Sequence, residues 1–466
     1  MQGEVLAVVL VPHPPIMLSE IAKVEFSKVQ QTAVAMGKIA KDIQALQPEA
    51  LIIITPHGPV FQDAVAIYDS DTLSGDLGKF GAPQIKVSFH IDSDLSKVII
   101  GEAGKEGIYT AMLDGQQLKQ FKLSPNLDHG VVAPMSFFNE LKVPVVIMAM
   151  ALFPVTDLYT FGITLRRAVE QSGKKVVVIV SGDMSHKVTS DAPAGYHPDG
   201  MIFDEAIEHA LAEQDFEELL TLPEDLKENA GECGYRSLVM GIGALDGYKL
   251  STEILSYQAP FGVGYLIAKL VPLAKDPSRE FLPKIKNKHQ QALEKLREQE
   301  SLPVKLARQT VENHTQGKSL PIGNNGEIGL EGKAGVFVSI KKNGQLRGCI
   351  GTTEPITSSV AQEIVRNAVS AAQHDPRFNS ITSDELDSLV YSVDILTSAT
   401  PVEDISELDA KQFGVIVESG RKRGLLLPDL EGVDTAQHQI EIALQKAGIG
   451  SAEKYELYKF QVIRYK

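Results

Sequence analysis

The chain has 466 residues, of which 60 are acidic and 45 basic, so its formal net charge is −15. Hydrophobic residues make up 43% and charged residues 23% of the chain. This usage excludes a disordered, collagen-like or disulfide-scaffold protein. The acidic surplus disfavours a dedicated nucleic-acid binder. The two cysteines lie far apart, which is typical of a reducing compartment and excludes a CxxC zinc or iron–sulfur site.

Nothing in the sequence predicts a membrane partner. The first residues carry no basic segment, and their short apolar run does not end in a small-residue cleavage site, so we expect no secretory signal. The longest apolar run, Val143 to Val155, is too short to span a bilayer and contains proline at both ends. We therefore expect a cytoplasmic protein.

Up to about Lys269, short β-branched runs alternate with longer amphipathic stretches, which predicts an α/β domain with a largely buried sheet. Continuous apolar runs predict the buried strands. These are Leu6 to Val11, Ala50 to Ile54, Val143 to Met148 and Val176 to Val180. Apolar residues at three- and four-residue spacing predict helices on the sheet faces. These are Ile21 to Leu46, Asp157 to Gln171 and Met201 to Glu213.

The character of the sequence changes after this domain. Residues 271–300 are rich in Pro, Lys, Glu and Gln, and we interpret them as a linker that leads into a helix. Residues 301–466 mix strands and helices less regularly, which indicates an α+β domain. Its clearest elements are strands at Gly335 to Lys341 and Leu389 to Leu396, and helices at Ile356 to Gln373 and Thr435 to Ala447. The predicted domains are therefore residues 1–270 and 301–466.

Three predicted strands of the first domain are followed by polar side chains. His13 follows the first strand, His57 the second, and Asp183 and His186 the strand that ends at Val180. We expect these residues at the carboxyl edge of the sheet, where open α/β sheets bind ligands. Prolines around His13 and His57 stiffen the backbone, as suits a metal ligand, although proline also simply ends strands.

Further ligand groups occur elsewhere in this domain. His129 lies in a turn-like context, and Glu232 and Cys233 lie between glycines before an apolar helix. Two histidines and one carboxylate form the facial triad that holds non-haem Fe(II). The same residue types also fit a zinc hydrolase, or strand-end histidines that hold no metal.

Taken together, these motifs resemble class III (LigB-like) extradiol ring-cleavage dioxygenases and their Memo-like relatives, over about residues 4–270. The resemblance rests on the order of Pro-His-Pro-Pro, Pro-His-Gly, Asp-His-Gly, Ser-Gly-Asp-Met-Ser-His, Gly-Tyr-His-Pro and Gly-Val-Gly-Tyr. It implies a central sheet flanked by helices, Fe(II) as cofactor, and a small catechol-type aromatic substrate with O₂. It also implies that His13 and His57 bind Fe(II), that His186 is the catalytic acid/base, and that His129 lies beside the substrate and oxygen.

The resemblance gives two candidates for the third metal ligand. Glu232 corresponds approximately to the dioxygenase carboxylate, and Cys233 to the cysteine of Memo-like proteins. Adjacent residues point in different directions, so both cannot easily bind one ion. We favour Glu232, whereas Cys233 would favour copper or zinc over ordinary ring cleavage. Asp183 either orients His186 or caps a helix.

The segment Leu-Arg-Gly-Cys-Ile-Gly at 346–351 strongly resembles AMMECR-type domains, over about residues 300–466. This resemblance implies an α+β fold in two subdomains around a cleft. Arg347, Cys349 and His374 are candidates for a second site, although a buried small residue in a tight turn is the simpler interpretation of Cys349.

Memo-like and AMMECR-type proteins are associated with a radical-SAM protein in the so-called AmmeMemoRadiSam system. The chain has no CxxxCxxC motif, so such a partner would be a separate polypeptide. The leading hypothesis is an Fe(II)-dependent extradiol dioxygenase-like protein with an accessory domain. The alternative is a Memo-like metal-binding or redox protein that works with a radical-SAM partner and cleaves no ring. A nucleic-acid site at Arg347, Arg377 and residues 421–423 is a third hypothesis, which the global acidity argues against.

Overall fold

The computed structural model describes residues 2–342, 344–430, 432–450 and 453–466. The chain divides into two compact units, one up to Lys288 and one from His289. Among the described residues, no helix combines the length and apolar character needed to cross a bilayer.

The first unit contains ten strands and its helices lie between them. The strands are β1 (Glu4–Val11), β2 (Ala50–Thr55), β3 (Val65–Tyr68), β4 (Thr72–Leu77), β5 (Ala82–His90), β6 (Thr110–Leu113), β7 (Val145–Ala149), β8 (Lys175–Ser181), β9 (Tyr248–Gln258) and β10 (Tyr265–Lys275). The helices are α1 (Ser19–Ala22), α2 (Phe26–Ala45), α3 (Ser93–Lys105), α4 (Gly115–Gln120), α5 (His129–Met135), α6 (Val155–Ser172), α7 (Pro198–Glu213), α8 (Phe216–Leu220), α9 (Glu224–Ala230) and α10 (Tyr235–Gly243). A further helix, α11 (Leu282–Glu298), extends across the boundary between the units.

Eight of these strands form one mixed sheet in the order β6-β3-β7-β2-β8-β1-β10-β9. The four neighbours β7, β2, β8 and β1 run parallel, so their carboxyl ends meet at one edge. At that edge Val11 pairs with Ser181, and Thr55 pairs with Ala149. This arrangement confirms the predicted α/β class. It also brings together the segments that follow β1, β2 and β8, three of the four predicted strands.

Both faces of the sheet are buried, which explains why the central strands are continuous apolar runs. Along β2, Leu51 and Ile53 pack on the face covered by α2, α5 and the β4–β5 hairpin. Ile52 and Ile54 pack on the opposite face, against α3, α6, α7 and α10. Some details differ from the prediction: the long helix predicted from Ile21 is divided into α1 and α2, since Lys23 adopts a φ of +49° between them.

The second unit contains two four-stranded antiparallel sheets, which confirms the predicted α+β class. Its strands are β11 (Val336–Lys342), β12 (Gln345–Thr352), β13 (Leu389–Leu396), β14 (Thr400–Pro401), β15 (Gly414–Ser419), β16 (Lys422–Leu426), β17 (Glu456–Phe460) and β18 (Val462–Tyr465). Its remaining helices are α12 (Leu302–Thr315), α13 (Val360–Gln373) and α14 (Ala436–Ala447). The sheet orders are β12-β11-β13-β18 and β14-β17-β15-β16. Helices α12 and α13 cover the first sheet and α14 covers the second.

In the first unit, α6 and α10 are in direct backbone contact. A Cβ atom on Gly162 would lie 2.2 Å from the Met240 carbonyl oxygen and 2.6 Å from the Gly243 Cα. A Cβ atom on Gly243 would lie 2.3 Å from the Tyr159 carbonyl oxygen. The glycines therefore set the distance between these two helices on one face of the sheet.

We expect Gly162→Ala to lower the free energy of unfolding by about 1–3 kcal/mol, because the added methyl group forces α6 and α10 apart. Gly101→Ala is the matched control, since Gly101 is also helical and nothing lies within 4 Å of its missing Cβ. That control should stabilise the protein by about 0.5–1 kcal/mol, the helix-propensity gain of alanine over glycine. Urea unfolding of both variants checks the prediction, and equal effects would contradict it.

Candidate metal and catalytic centre

The loops after β1 and β2 bring two imidazole rings together at the carboxyl edge of the sheet. The Nε2 atoms of His13 and His57 lie 2.9 Å apart. His13 is 2% exposed, whereas His57 is exposed to solvent. One side of the ring pair is therefore enclosed by protein and the other is open.

A backbone crossing brings the thiol of Cys233 to this ring pair. A Cβ atom on Gly182 would lie 2.2 Å from the Gly234 Cα, so the segment after β8 touches the segment before α10. The Gly234 N–H donates to the Asp183 carbonyl (2.9 Å), and the Asp183 N–H donates to the Cys233 Sγ (3.3 Å). Only glycine allows backbones to approach this closely, so the two glycines fix the position of the cysteine.

Two groups of potential ligand atoms share this thiol. The His13 Nε2 lies 3.7 Å and the His186 Nε2 4.0 Å from the Cys233 Sγ. Within the described ranges, the first group is His13, His57 and Cys233, and the second is Asp183, His186 and Cys233. In each group the ligand atoms lie within 4.8 Å of one another. Imidazole, thiolate and carboxylate are all common ligands of transition metals.

Hydrogen bonds assign the tautomer of His13. The Ser181 hydroxyl donates to the Gly130 carbonyl, so its oxygen is left to accept from the His13 Nδ1–H at 3.1 Å. The His13 Nε2 lone pair consequently faces His57 and Cys233. Such a partner on the far nitrogen is the usual support of a metal-binding histidine. The sequence did not mark Ser181 as a functional residue. The feature that could have identified it is its position at the end of a strand, directly after Val180.

Asp183 lies between His13 and His186. Its Oδ1 accepts the His13 backbone N–H at 2.9 Å, and its Oδ2 lies 3.6 Å from the His13 Nε2 and 3.8 Å from the His186 Nε2. Burial opposes ionisation of this carboxyl group, but its contacts with the His13 and His186 rings and with the His13 backbone N–H outweigh burial and lower its pKa. Of the two predicted roles, the geometry favours orientation of His186.

The imidazole rings differ in their affinity for protons. Burial lowers the pKa of His13 to about 3 and also lowers the pKa values of His57 and His129. Burial acts in the same direction on His186, but its contact with Asp183 outweighs burial and raises its pKa. Burial, followed by the charge of Asp183, raises the pKa of the Cys233 thiol well above its usual value. His13, His57 and His129 therefore favour the neutral form, while His186 is the ring that most readily takes a proton.

His129 forms one wall of the site together with Phe80. Its ring stacks on His57 with centroids 4.5 Å apart, and the Phe80 ring lies 5.3 Å from it. Phe80 is 43% exposed and comes from the turn between β4 and β5, a hairpin that sequence patterning did not predict. Asp128 adds a buried carboxylate oxygen, Oδ2, that has no hydrogen-bond partner in the structure.

Glu232, the favoured third ligand in the sequence, lies elsewhere. Its Oε2 accepts the backbone N–H of Tyr235 at 2.6 Å, at the start of α10. Burial raises the pKa of this carboxyl group, which also interacts with Arg236 and Lys227. Neither candidate metal-binding group of the described residues includes Glu232. The geometry therefore supports Cys233, the alternative, in the position next to the two histidines.

The three candidates in the second unit do not form one cluster. Arg347 donates through Nε and Nη2 to both carboxylate oxygens of Glu385, at 3.0 and 2.9 Å. His374 is exposed at the end of α13. Cys349 lies half-buried in the middle of β12 rather than in a tight turn. The segments nevertheless meet, because the Cys349 N–H donates to Asp375 at 2.9 Å.

Four of the five basic residues considered for nucleic acid are engaged with acidic neighbours. Besides Arg347, ion pairs join Arg377 to Asp375, Lys422 to Glu453, and Arg423 to Glu354 and Glu418. This pairing leaves little unbalanced positive charge for a phosphate backbone.

Comparisons with known families agree with the architecture. The family model described as "Catalytic LigB subunit of aromatic ring-opening dioxygenase" matches residues 7–268, more than half of the chain, and the AMMECR1 model matches residues 304–465. Both resemblances noted in the sequence are thereby confirmed.

Several known proteins are similar to all or part of the chain. Protein CA_C1420 of Clostridium acetobutylicum is 41% identical over 466 residues, covering 98% of each chain. A protein of Thermotoga maritima is 50% identical over 167 residues, which are 35% of this chain and 96% of that protein. The solved structure of PH0010 from Pyrococcus horikoshii covers 36% of this chain and 90% of its own, with 29% identity and a TM-score of 0.32. The chain therefore belongs to the family of the catalytic LigB subunit of aromatic ring-opening dioxygenases, and carries an AMMECR1 domain after its LigB domain.

Proposed function

We propose that the first unit is a metal-dependent redox protein whose ion is held by His13, His57 and Cys233. The observation that carries this proposal is the Cys233 Sγ, 3.7 Å from the His13 Nε2, with Glu232 turned toward α10. A ligand set of two imidazoles and one thiolate favours copper. Fe(II) oxygenases instead use two histidines and one carboxylate. A radical-SAM partner in this proposal is a separate polypeptide, because this chain has only two cysteines.

The donor set fits one ion. The His13 Nε2 lies 2.9 Å from the His57 Nε2 and 3.7 Å from the Cys233 Sγ. Atoms at these separations can bind one metal ion at bond lengths of about 2.0–2.3 Å. The His13 Nδ1–H is already committed to Ser181, so its Nε2 lone pair is free to bind. When bound, a copper ion would supply electron transfer to or from a small substrate.

His186 is suited to move a proton at its Nε2 atom. Its Nδ1 lies 2.7 Å from the Gly231 carbonyl and so carries a proton, which leaves Nε2 as the acceptor. Asp183, 3.8 Å from that Nε2, stabilises the protonated ring. In this proposal His186 takes a proton from the substrate and returns it later, as a general acid–base. His57 and Phe80, both exposed, mark the side from which a substrate enters.

Extradiol ring cleavage is the second candidate function. The match to a ring-opening dioxygenase family over residues 7–268 favours it, as does His186 in the acid–base position. It requires a ligand set that supports Fe(II) and O₂, and Glu232 would then have to turn away from Tyr235. The two functions therefore differ in which neighbour, Glu232 or Cys233, binds the ion.

We expect Cys233→Ala and His13→Ala to lose metal affinity at least about tenfold, because each removes a ligand atom. Glu232→Gln is the matched control and should keep metal at the wild-type stoichiometry, although it weakens the hydrogen bond to Tyr235. The measurement is metal content by mass spectrometry after anaerobic purification and incubation with Cu(I), Fe(II) or Zn(II) in turn. Loss of metal in Glu232→Gln with retention in Cys233→Ala would contradict the proposal.

Ser181→Ala should reduce metal affinity about 10–100-fold although no ligand is changed, because the His13 Nδ1–H loses the acceptor that fixes its tautomer. Ser172→Ala is a suitable control, since Ser172 also donates to a backbone carbonyl, that of Val169, at the end of α6. Competition with a chromogenic chelator gives both affinities. Identical affinities for the two variants would show that the tautomer of His13 does not depend on Ser181.

Oxygen consumption separates the two candidate functions. We expect Fe(II)-loaded protein to take up no oxygen with a panel of catechols, since the thiolate set differs from that of ring-cleaving enzymes. Oxygen uptake with a yellow ring-fission product would instead support the second candidate. In that case Glu232→Gln should abolish the activity, Cys233→Ala should retain it, and His186→Gln should lower kcat by about 10²–10⁴.

A further inference from the structure

The second unit places its cysteine in a polar row on one face of a sheet. Cys349 on β12 pairs with Ser339 on β11, and Ser339 pairs with Ser392 on β13. All three residues are half-buried. The Ser339 hydroxyl donates a hydrogen bond to the Cys349 Sγ at 3.2 Å. Cys349 is thus a free, half-buried cysteine whose sulfur accepts a hydrogen bond from a neighbouring strand.

Arg377 brings a guanidinium group to the same cysteine. It donates through Nη2 to the Cys349 carbonyl at 3.1 Å. Its Nε and Nη2 bind both oxygens of Asp375, at 2.9 and 2.7 Å. The Arg377 side chain is 54% exposed, whereas that of Asp375 is 2% exposed. The carboxylate therefore anchors the guanidinium from beneath and compensates its charge, so what the half-exposed side chain offers a ligand is its remaining N–H groups.

Arg464 repeats this arrangement in the next cross-strand row of the same sheet face. It pairs with Asp394, which in turn pairs with Phe337. Its Nε and Nη2 bind the Asp394 oxygens at 2.8 and 2.9 Å. The exposed fractions are 57% for Arg464 and 9% for Asp394. Two half-exposed guanidinium groups, each fixed by a buried carboxylate, are therefore present in the sheet that carries the thiol.

The row that carries Cys349 lies beside the contact between the two sheets of this unit. Gly351 has no side chain, and the Phe337 ring fills the space that its Cβ would take, at 2.2 Å. Phe337 joins the apolar contacts between the two sheets, with Ile416 and Phe460. Cys349 lies one row beyond these contacts on the edge strand β12.

We propose that Cys349 is the nucleophile of a second site, which takes a small anionic electrophile. Arg377 and Arg464 would attract the anion through the guanidinium N–H groups not bound to carboxylates. A sulfur–carbon bond forms as the leaving group departs with its bonding electrons, and the thiol proton passes to solvent. This site is independent of the metal centre of the first unit.

Competing alkylation tests the charge preference of this site. The intact chain is treated with iodoacetate or iodoacetamide, and peptide mass spectrometry gives the rate at Cys349 separately from that at Cys233. The ratio of the iodoacetate rate to the iodoacetamide rate should exceed that of glutathione by about three- to tenfold, because the arginines attract the anion. Arg377→Ala and Arg464→Ala should lower the ratio toward that of glutathione. Arg421→Ala, which removes an exposed charge between β15 and β16, should leave it unchanged.

Salt dependence keeps the test valid if an arginine variant fails to fold. In the wild-type chain, raising the ionic strength from about 0.02 to 0.5 M should lower the ratio, because salt screens exposed charges. A ratio equal to that of glutathione at low salt would overturn the proposal, as would an unreactive Cys349 in the folded protein. Equal effects of Arg421→Ala and Arg377→Ala would overturn the assignment of Arg377.

Discussion

The contact between Gly182 and Gly234 is the constraint on which the metal centre depends. With the two backbones this close, the Asp183 N–H reaches the Cys233 sulfur and the Gly234 N–H reaches the Asp183 carbonyl. The end of β8 and the start of α10 therefore behave as one rigid piece. The contact also determines that Cys233 points at the imidazoles, while its neighbour Glu232 points at the helix terminus.

The charge of the centre follows from the same contact. Asp183 is buried, and the nearest groups, His13 and Cys233, favour their neutral forms for lack of water. One negative charge thus lies beside two uncharged groups that offer lone pairs, with His186 at 3.8 Å on its other side. Such an arrangement suits a cation, which compensates the buried carboxylate and uses the lone pairs as ligands. In the proposed function, the enclosed half of the site would hold the ion, and the open half, beside His57, would admit a substrate.

The sequence predicted the parts of this site that strand geometry controls. β-Branched runs followed by His13, His57 and His186 predicted strand ends at one edge, because parallel neighbours must meet there. The choice between Glu232 and Cys233 could not be predicted, since it depends on a glycine contact between segments 50 residues apart. Phe80 was missed for a related reason: the β4–β5 hairpin has weak periodicity, and only tertiary packing brings its turn over His129.

The two cysteines of the chain show how surroundings decide the chemistry of one side chain. Cys233 has imidazole nitrogens as neighbours, so its sulfur becomes a ligand once a cation takes the place of the thiol proton. Cys349 accepts hydrogen bonds from the Ser339 hydroxyl at its sulfur and from the Arg377 guanidinium at its carbonyl. Because the buried carboxylates of Asp375 and Asp394 hold Arg377 and Arg464, the positions of these guanidinium groups need no ligand to be set. In the two proposals, the LigB unit therefore uses its thiol as a metal ligand, and the AMMECR1 unit uses its thiol to attack carbon.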